Sequence, residues 1–237
     1  MIKCENLFKS YGGNNALNGI GLDIGTGRIV GLLGPNGSGK TTLIKILCGL
    51  LRQSSGAVTI DGHEPGVHTK SVISYLPDKM YFADWMRASD MMDLFQDFYA
   101  DFDRKKAEAM CVALGLQMNQ RIKAMSKGTK EKMQLVLVMS RKAKVYLLDE
   151  PIAGVDPAAR DFILNTILSN YNEEGTVIIS THLITDIERV LDEVVFLQNG
   201  LIVRHDTVDN IRTQEGKSVD AVFRDVFKAT PYFGGEF

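Results

Sequence analysis

Gly34-Pro35-Asn36-Gly37-Ser38-Gly39-Lys40-Thr41 decides how this chain folds. The stretch fits G-x-x-x-x-G-K-[ST], a loop built to hold phosphate. Gly34, Gly37 and Gly39 let the backbone curl so that successive N–H groups point inward, where a Cβ would obstruct them. Those groups open a helix, whose dipole favours an anion. Lys40 adds a mobile charge for the β- and γ-phosphates, and the Thr41 hydroxyl a ligand for Mg²⁺. The flanks agree. Residues 28–33 are a short apolar run, as in a buried strand, and Leu43, Ile46, Leu47 and Leu50 recur at helical spacing. Strand, glycine loop and helix is the order such a loop requires. The motif implies a nucleoside triphosphate and leaves its use open.

Composition narrows the use. With 237 residues, 45% apolar, the chain is long enough for one large domain, or one domain with a subdomain. Its 27 basic and 29 acidic residues nearly cancel, which argues against a general polyanion binder, and no nucleic-acid partner is expected. Cys4, Cys48 and Cys111 are far apart and show no metal-ligand spacing, so they read as reduced thiols in or near the core. Neither a signal peptide nor a run of roughly 18 apolar residues is visible, and a soluble chain is expected.

Outward from the loop, residues 2–8 and 16–24 read as strands around the turn Gly12-Gly13-Asn14-Asn15. Residues 57–60 and 71–76 read as further strands, the second stopped by Pro77. From about 88 to 142 the pattern turns helical, with an apolar stripe of Met91, Met92, Leu94, Phe95, Phe98 and Tyr99. Residues 145–148 and 176–179 are apolar runs, with an amphipathic helix expected over 158–171 between them. Asn199-Gly200 marks a hairpin, 218–228 a terminal helix, and the tail from Thr230 onward a frayed end. Apolar strands alternating with helices predict an α/β fold with a mostly parallel sheet.

Two further places carry chemistry. Val145-Tyr146-Leu147-Leu148-Asp149-Glu150 delivers two carboxylates at the C-terminal end of a strand, where ligands of α/β folds bind. Asp149 suits the metal or its water. Glu150 points elsewhere, because side chains alternate along extended chain, and can polarise an attacking water. His182, just past the buried run 176–179, can either orient groups around the γ-phosphate or serve the structure alone.

Taken in order, these motifs resemble the ATP-binding cassette of ABC transporters over about residues 2–215. The resemblance implies a P-loop NTPase core with an antiparallel N-terminal part and an inserted helical subdomain. It divides a single domain into core segments 1–87 and 143–215, a helical signature subdomain 88–142, and a C-terminal helix and tail 216–237. It implies that ATP and Mg²⁺ bind, with Tyr11 stacking on adenine and residues 34–42, including Thr42, holding the phosphates. Asp78 takes the Q-loop position, Met125-Ser126-Lys127-Gly128-Thr129 the signature and Ala153-Gly154-Val155-Asp156 the D-loop. Glu150 becomes the catalytic carboxylate and His182 the switch histidine. In the family two cassettes join head to tail, so Ser126 and Gly128 would meet the γ-phosphate held by a second cassette. Ser126 and Gly128 are expected to precede a helix over 130–141, and Ser126 suits an N-cap as well as an anion contact.

The chain departs from the family pattern twice. Lys127 stands where the signature has glycine, and Asp78 where the Q-loop has glutamine. Both departures resemble cassettes serving drug- and antibiotic-type exporters. Met80, Tyr81, Phe82 and Trp85 are expected to line the groove for a membrane-spanning subunit, with Trp85 equally suited to packing the helical subdomain on the core. The expected function is an ATPase that powers solute movement, by export, from the cytoplasmic face of a membrane. The alternative is a non-transport cassette of DNA maintenance, translation or assembly. A GTPase is disfavoured, since no Asn-Lys-x-Asp motif is present.

Overall fold

The computed structural model describes residues 1–228 apart from Gly154, and only the backbone of Ala158. The D-loop glycine and the expected frayed tail, with Tyr232, Phe233 and Phe237, lie outside the described residues. Nine strands and nine α-helices alternate among the described residues. Strands β1 (Ile2–Tyr11), β2 (Asn14–Ile24) and β4 (Ser55–Ile60) form an antiparallel sheet in the order β2-β1-β4. Strands β3 (Ile29–Leu33), β5 (Ile73–Leu76), β6 (Val145–Asp149), β7 (Thr176–Thr181), β8 (Glu193–Gln198) and β9 (Leu201–Thr207) form the main sheet, ordered β5-β6-β7-β3-β8-β9. All its pairs are parallel except β8–β9, closed by the Asn199-Gly200 turn with both residues at positive φ.

The five parallel strands of the main sheet are buried on both faces, whereas the edge strand β9 is only partly covered, and the alternation along the parallel strands shows this directly. Val30, Leu32, Val145, Leu147 and Ile178 point into one core, shared with helix α1 (Lys40–Leu47) and the antiparallel sheet. Leu33, Tyr146, Leu148, Val177 and Ile179 point into the other. That second core holds α3 (Ala88–Phe98), α4 (Arg104–Ala113), α5 (Lys127–Met139), α6 (Pro157–Leu168) and α9 (Val219–Lys228). Burial on two faces is why these strands read as continuous apolar runs. Helix α5 is buried without a break from Met133 to Met139, which makes it the centre of the helical segment. Three further α-helices, α2 (Val67–Val72), α7 (Ile184–Ile187) and α8 (Val208–Glu215), and two 3-10 turns at Ile122–Ala124 and Glu188–Val190 complete the elements among the described residues.

The expected α/β class and mostly parallel sheet hold, while several boundaries differ. Ser71 and Val72 end helix α2 instead of opening a strand, because Thr69 Oγ1 accepts from Gly66 N and donates to Gly66 O, closing a turn there. Helix α5 begins at Lys127, so Gly128 lies in its first turn and does not precede it. The cause is Ser126, whose Oγ accepts from Thr129 N at 3.2 Å. Leu50 falls beyond α1 and is exposed, as are Phe98 and, in part, Leu94 of the predicted stripe. Phe82 packs into the second core instead of lining an open groove. All three cysteines are buried, and burial pushes the Cys4 thiol up to about 12 and Cys111 to about 11. Among the described residues no helix is long and apolar enough to cross a membrane.

Candidate functional site

The site gathers at the C-terminal ends of β3, β6 and β7. Residues 34–39 pass from β3 into α1, and the glycines are required by their surroundings. A Cβ on Gly34 would collide with Leu197 O, and one on Gly39 would stand 2.6 Å from Ala16 O. Gly37 and Gly39 also have φ of +81° and +111°, left-handed values that a Cβ disfavours. The loop is backed from behind by the β8–β9 turn, where Gly200 N donates to Ser38 O at 2.9 Å.

Lys40, nearly buried, donates from Nζ to Gly34 O at 2.8 Å and to Pro35 O at 3.2 Å. The same ammonium lies 3.4 Å from Glu150 Oε1. On the other side of that carboxylate stands His182, its Nδ1 3.1 Å from Oε2. An ionised carboxylate only accepts, so Nδ1 carries the proton and Nε2 is left to face other groups. Glu150 itself sits at φ +51°, uncommon for a residue with a Cβ and a local strain of the kind that gathers at working sites.

Asp149 is fully buried. Its Oδ1 accepts from Ser180 Oγ at 2.7 Å and from Thr41 Oγ1 at 3.1 Å, while Oδ2 has no partner. Burial holds the Asp149 pKa above the ordinary carboxylate value, and the Ser180 and Thr41 hydrogen bonds offset only part of that rise. An unpartnered carboxylate oxygen beside a threonine hydroxyl fits Mg²⁺, which is held by one or two carboxyl or hydroxyl oxygens and otherwise keeps waters and phosphate oxygens. No cluster of three or more His, Cys, Asp or Glu side chains suited to a metal occurs among the described residues.

Two adjoining cavities of 290 Å³ each share Asn36, Asp78 and Glu150 in their walls. The first is lined by the phosphate loop, through Gly37, Gly39, Lys40, Thr41 and Thr42. The second is lined by His182, Lys127, Glu131 and Gln134. The structure therefore brings together the loop, Asp78, Asp149, Glu150 and His182. Tyr11 lies outside both linings, at the end of β1 with its ring half-exposed and Lys9 Nζ 4.9 Å above it. Ser126 and Gly128 also lie outside, exposed at the start of α5, and only Lys127 of the signature reaches the cleft. Ser180 was not singled out by sequence. Its single legible signal is its place two residues before His182, at the end of a buried strand.

Comparison with known proteins agrees with this arrangement. The ABC transporter family matches residues 17–153. The ABC transporter ATP-binding protein YtrB of Bacillus subtilis is 30% identical over 90% of this chain and 74% of its own length. The lantibiotic transport ATP-binding protein SrtF of Streptococcus pyogenes is 29% identical over 91% of this chain and 94% of its own. A solved ATP binding subunit of an ABC transporter is 26% identical and superimposes with a TM-score of 0.84, covering 96% of this chain and 99% of that one. With the loop, the paired carboxylates and the histidine in the same cleft, and the family match running through most of them, the chain belongs to the ABC transporter family, as an ATP-binding cassette.

Proposed function

We propose that this cassette hydrolyses ATP to drive solute export through a separate membrane-spanning subunit, on whose cytoplasmic side it sits. The family makes the chain an ATPase. The observation that carries the residue roles is the position of Glu150, held between Lys40 and His182 at the mouth of the phosphate loop. Residues 34–42 and Lys40 bind the triphosphate, and Tyr11 stacks on the adenine. Thr41 and Asp149 would hold Mg²⁺, and Asp78 lines the same cavity as Thr41. When bound, the ion screens the phosphate charge that builds up as the leaving group departs. Glu150 takes a proton from water as its oxygen attacks the γ-phosphorus. The bond to the β-phosphate oxygen breaks, and ADP and phosphate result. His182 orients the γ-phosphate through Nε2.

The other half of the site comes from a second cassette. Gly128 supports this reading. It lies in a helix, where glycine costs about 1 kcal/mol against alanine, yet a Cβ there would meet open space and its φ is not positive. Nothing inside the chain asks for glycine, so its bareness serves a contact outside it, with Ser126 beside it at the helix N-terminus. On this reading residues 88–142 are the signature-bearing subdomain, hinged on the core 1–87 and 143–215. Residues 216–237 form a C-terminal extension. The groove of 670 Å³ lined by Tyr75, Met80, Tyr81 and Tyr99 receives the membrane subunit, and Trp85, exposed but outside that lining, is free to add to the contact. The likeness to a lantibiotic transport protein supports export. Co-purification in detergent tests the whole. Recovery of a multi-span membrane protein that stimulates ATP hydrolysis is the expected result, and recovery of ribosomes or nucleic acid in its place overturns transport.

A further inference from the structure

Ser180 occupies the register position opposite Asp149 on the parallel β6–β7 ladder and is fully buried. Its hydroxyl makes two bonds of different sense. It donates to Asp149 Oδ1 at 2.7 Å and accepts from Glu150 N at 3.0 Å. Glu150 N also reaches Ser180 O at 3.1 Å, so this one N–H is shared between the backbone and side chain of one residue. Because the serine proton is committed to Asp149, its lone pairs are what Glu150 N meets.

Two consequences follow from this geometry. First, Ser180 and Thr41 both load Oδ1 of Asp149, which leaves Oδ2 as the bare oxygen. The carboxylate cannot rotate without giving up the 2.7 Å bond, so the choice of free oxygen is fixed. Secondly, the bond to Glu150 N lies at the residue whose φ is +51°. A left-handed residue with a Cβ persists only where its surroundings hold it. That backbone turn is what carries the Glu150 side chain off the line of β6 and between Lys40 and His182.

We propose that Ser180 is a positioning residue for both carboxylates, fixing the metal-facing oxygen of Asp149 and the aim of Glu150 through one hydroxyl. The inference rests on the roles given above to those two residues. It touches neither nucleotide nor the reacting atoms itself. A merely structural serine would affect folding and nucleotide binding together, whereas a positioning serine acts on metal affinity and turnover alone.

The test uses Ser180→Ala in the full chain, with its membrane partner where hydrolysis depends on it. Three quantities are measured against wild type: steady-state kcat and KM for ATP; Mn²⁺ affinity by electron paramagnetic resonance with a non-hydrolysable ATP analogue bound; and affinity for a fluorescent ATP analogue in EDTA. Loss of a group that orients a metal-binding carboxylate typically lowers metal affinity or activity by about ten- to a hundredfold. The expected result is a loss of that size in kcat, a weaker Mn²⁺ site, and KM and metal-free affinity within about twofold of wild type. Wild-type kcat together with wild-type Mn²⁺ affinity overturns the proposal. So does a parallel loss of metal-free affinity, which marks a structural role. If the wild-type chain binds Mn²⁺ and nucleotide without hydrolysing, the hydrolytic reading fails while the Mn²⁺ arm still decides on Ser180.

Discussion

Two of the buried polar centres among the described residues are built in opposite ways. At the phosphate loop, Ser38 Oγ and Asp149 Oδ2 are buried without partners, and Lys40 leans on two loop carbonyls and one carboxylate. Just past the C-terminal end of α5, Arg141 is equally buried and has an acceptor for every nitrogen of its guanidinium. Its Nε and Nη2 form a fork on Asp101 at 2.9 and 3.1 Å. Nη1 donates to Ile73 O and Nη2 also to Ser71 O at 2.6 Å. The Tyr99 ring lies 3.7 Å from the guanidinium carbon. The well-partnered centre ties the helical segment to β5 and leaves none of its nitrogens without an acceptor. The unsaturated one is expensive for the fold and open to chemistry. Buried charge alone therefore does not mark a site; incomplete satisfaction does.

The contrast can be broken at either end. The largest effect is expected at the open centre, where Glu150→Gln removes a proton acceptor and keeps the shape. ATP hydrolysis falls by about 10²- to 10⁴-fold, the usual worth of a general base. ATP binding persists, and size-exclusion chromatography with ATP and Mg²⁺ recovers a dimer. Turnover near the wild-type rate removes Glu150 from its role. Next comes Arg141→Ala at the closed centre. Removing one member of a buried pair costs about 3–5 kcal/mol, read as a lower urea midpoint. Arg141→Lys recovers part of this, since an ammonium keeps the charge and loses the fork. A variant as stable as wild type would mean that the node contributes nothing. The smallest effect is Ser38→Ala. Deleting a buried hydroxyl that has no partner should leave stability unchanged or raise it by roughly 1 kcal/mol, the reverse sign from Arg141. A clear loss of stability would show that Ser38 is satisfied after all.

The two centres also differ in how far sequence could reveal them. The phosphate loop is local: strand, three glycines, lysine and threonine follow one another, and each residue type states its own reason. Asp149 and Glu150 close a buried strand, and the same logic places them. The Arg141 node has no such signature, because Asp101 and Ser71 are 40 and 70 residues away. Only the packed fold brings them together. Local cues also misled at two turns. The β-branched residues near Ser71 suggested strand, but Thr69 bonds with Gly66 and holds a helix there. The helix of the signature begins at Lys127, three residues before the expected 130, because Ser126 caps Thr129 N and Gly128 falls inside the first turn despite its low helix propensity. Phe82 reads as an exposed aromatic because nothing in its neighbours announces Phe95, whose ring centroid lies 6.1 Å from its own. The left-handed turn at Glu150 is invisible for the same reason, since what holds it comes from β7.

The Asn199-Gly200 turn has a consequence for handling the protein. A hairpin tip of this kind is ordinarily the safest place to splice in a tag, a fluorophore or new termini. Here Gly200 is buried and grips both sides, donating to Ser38 O at 2.9 Å and accepting from Asn18 N at 2.8 Å, while Asn18 Nδ2 reaches Asn199 O. The tip acts as a rivet through the back of the nucleotide pocket. An insertion there would leave the strands able to pair and loosen the loop they support. A reporter intended to watch nucleotide binding without disturbing it belongs elsewhere, for instance at the exposed end of α4 near Val112.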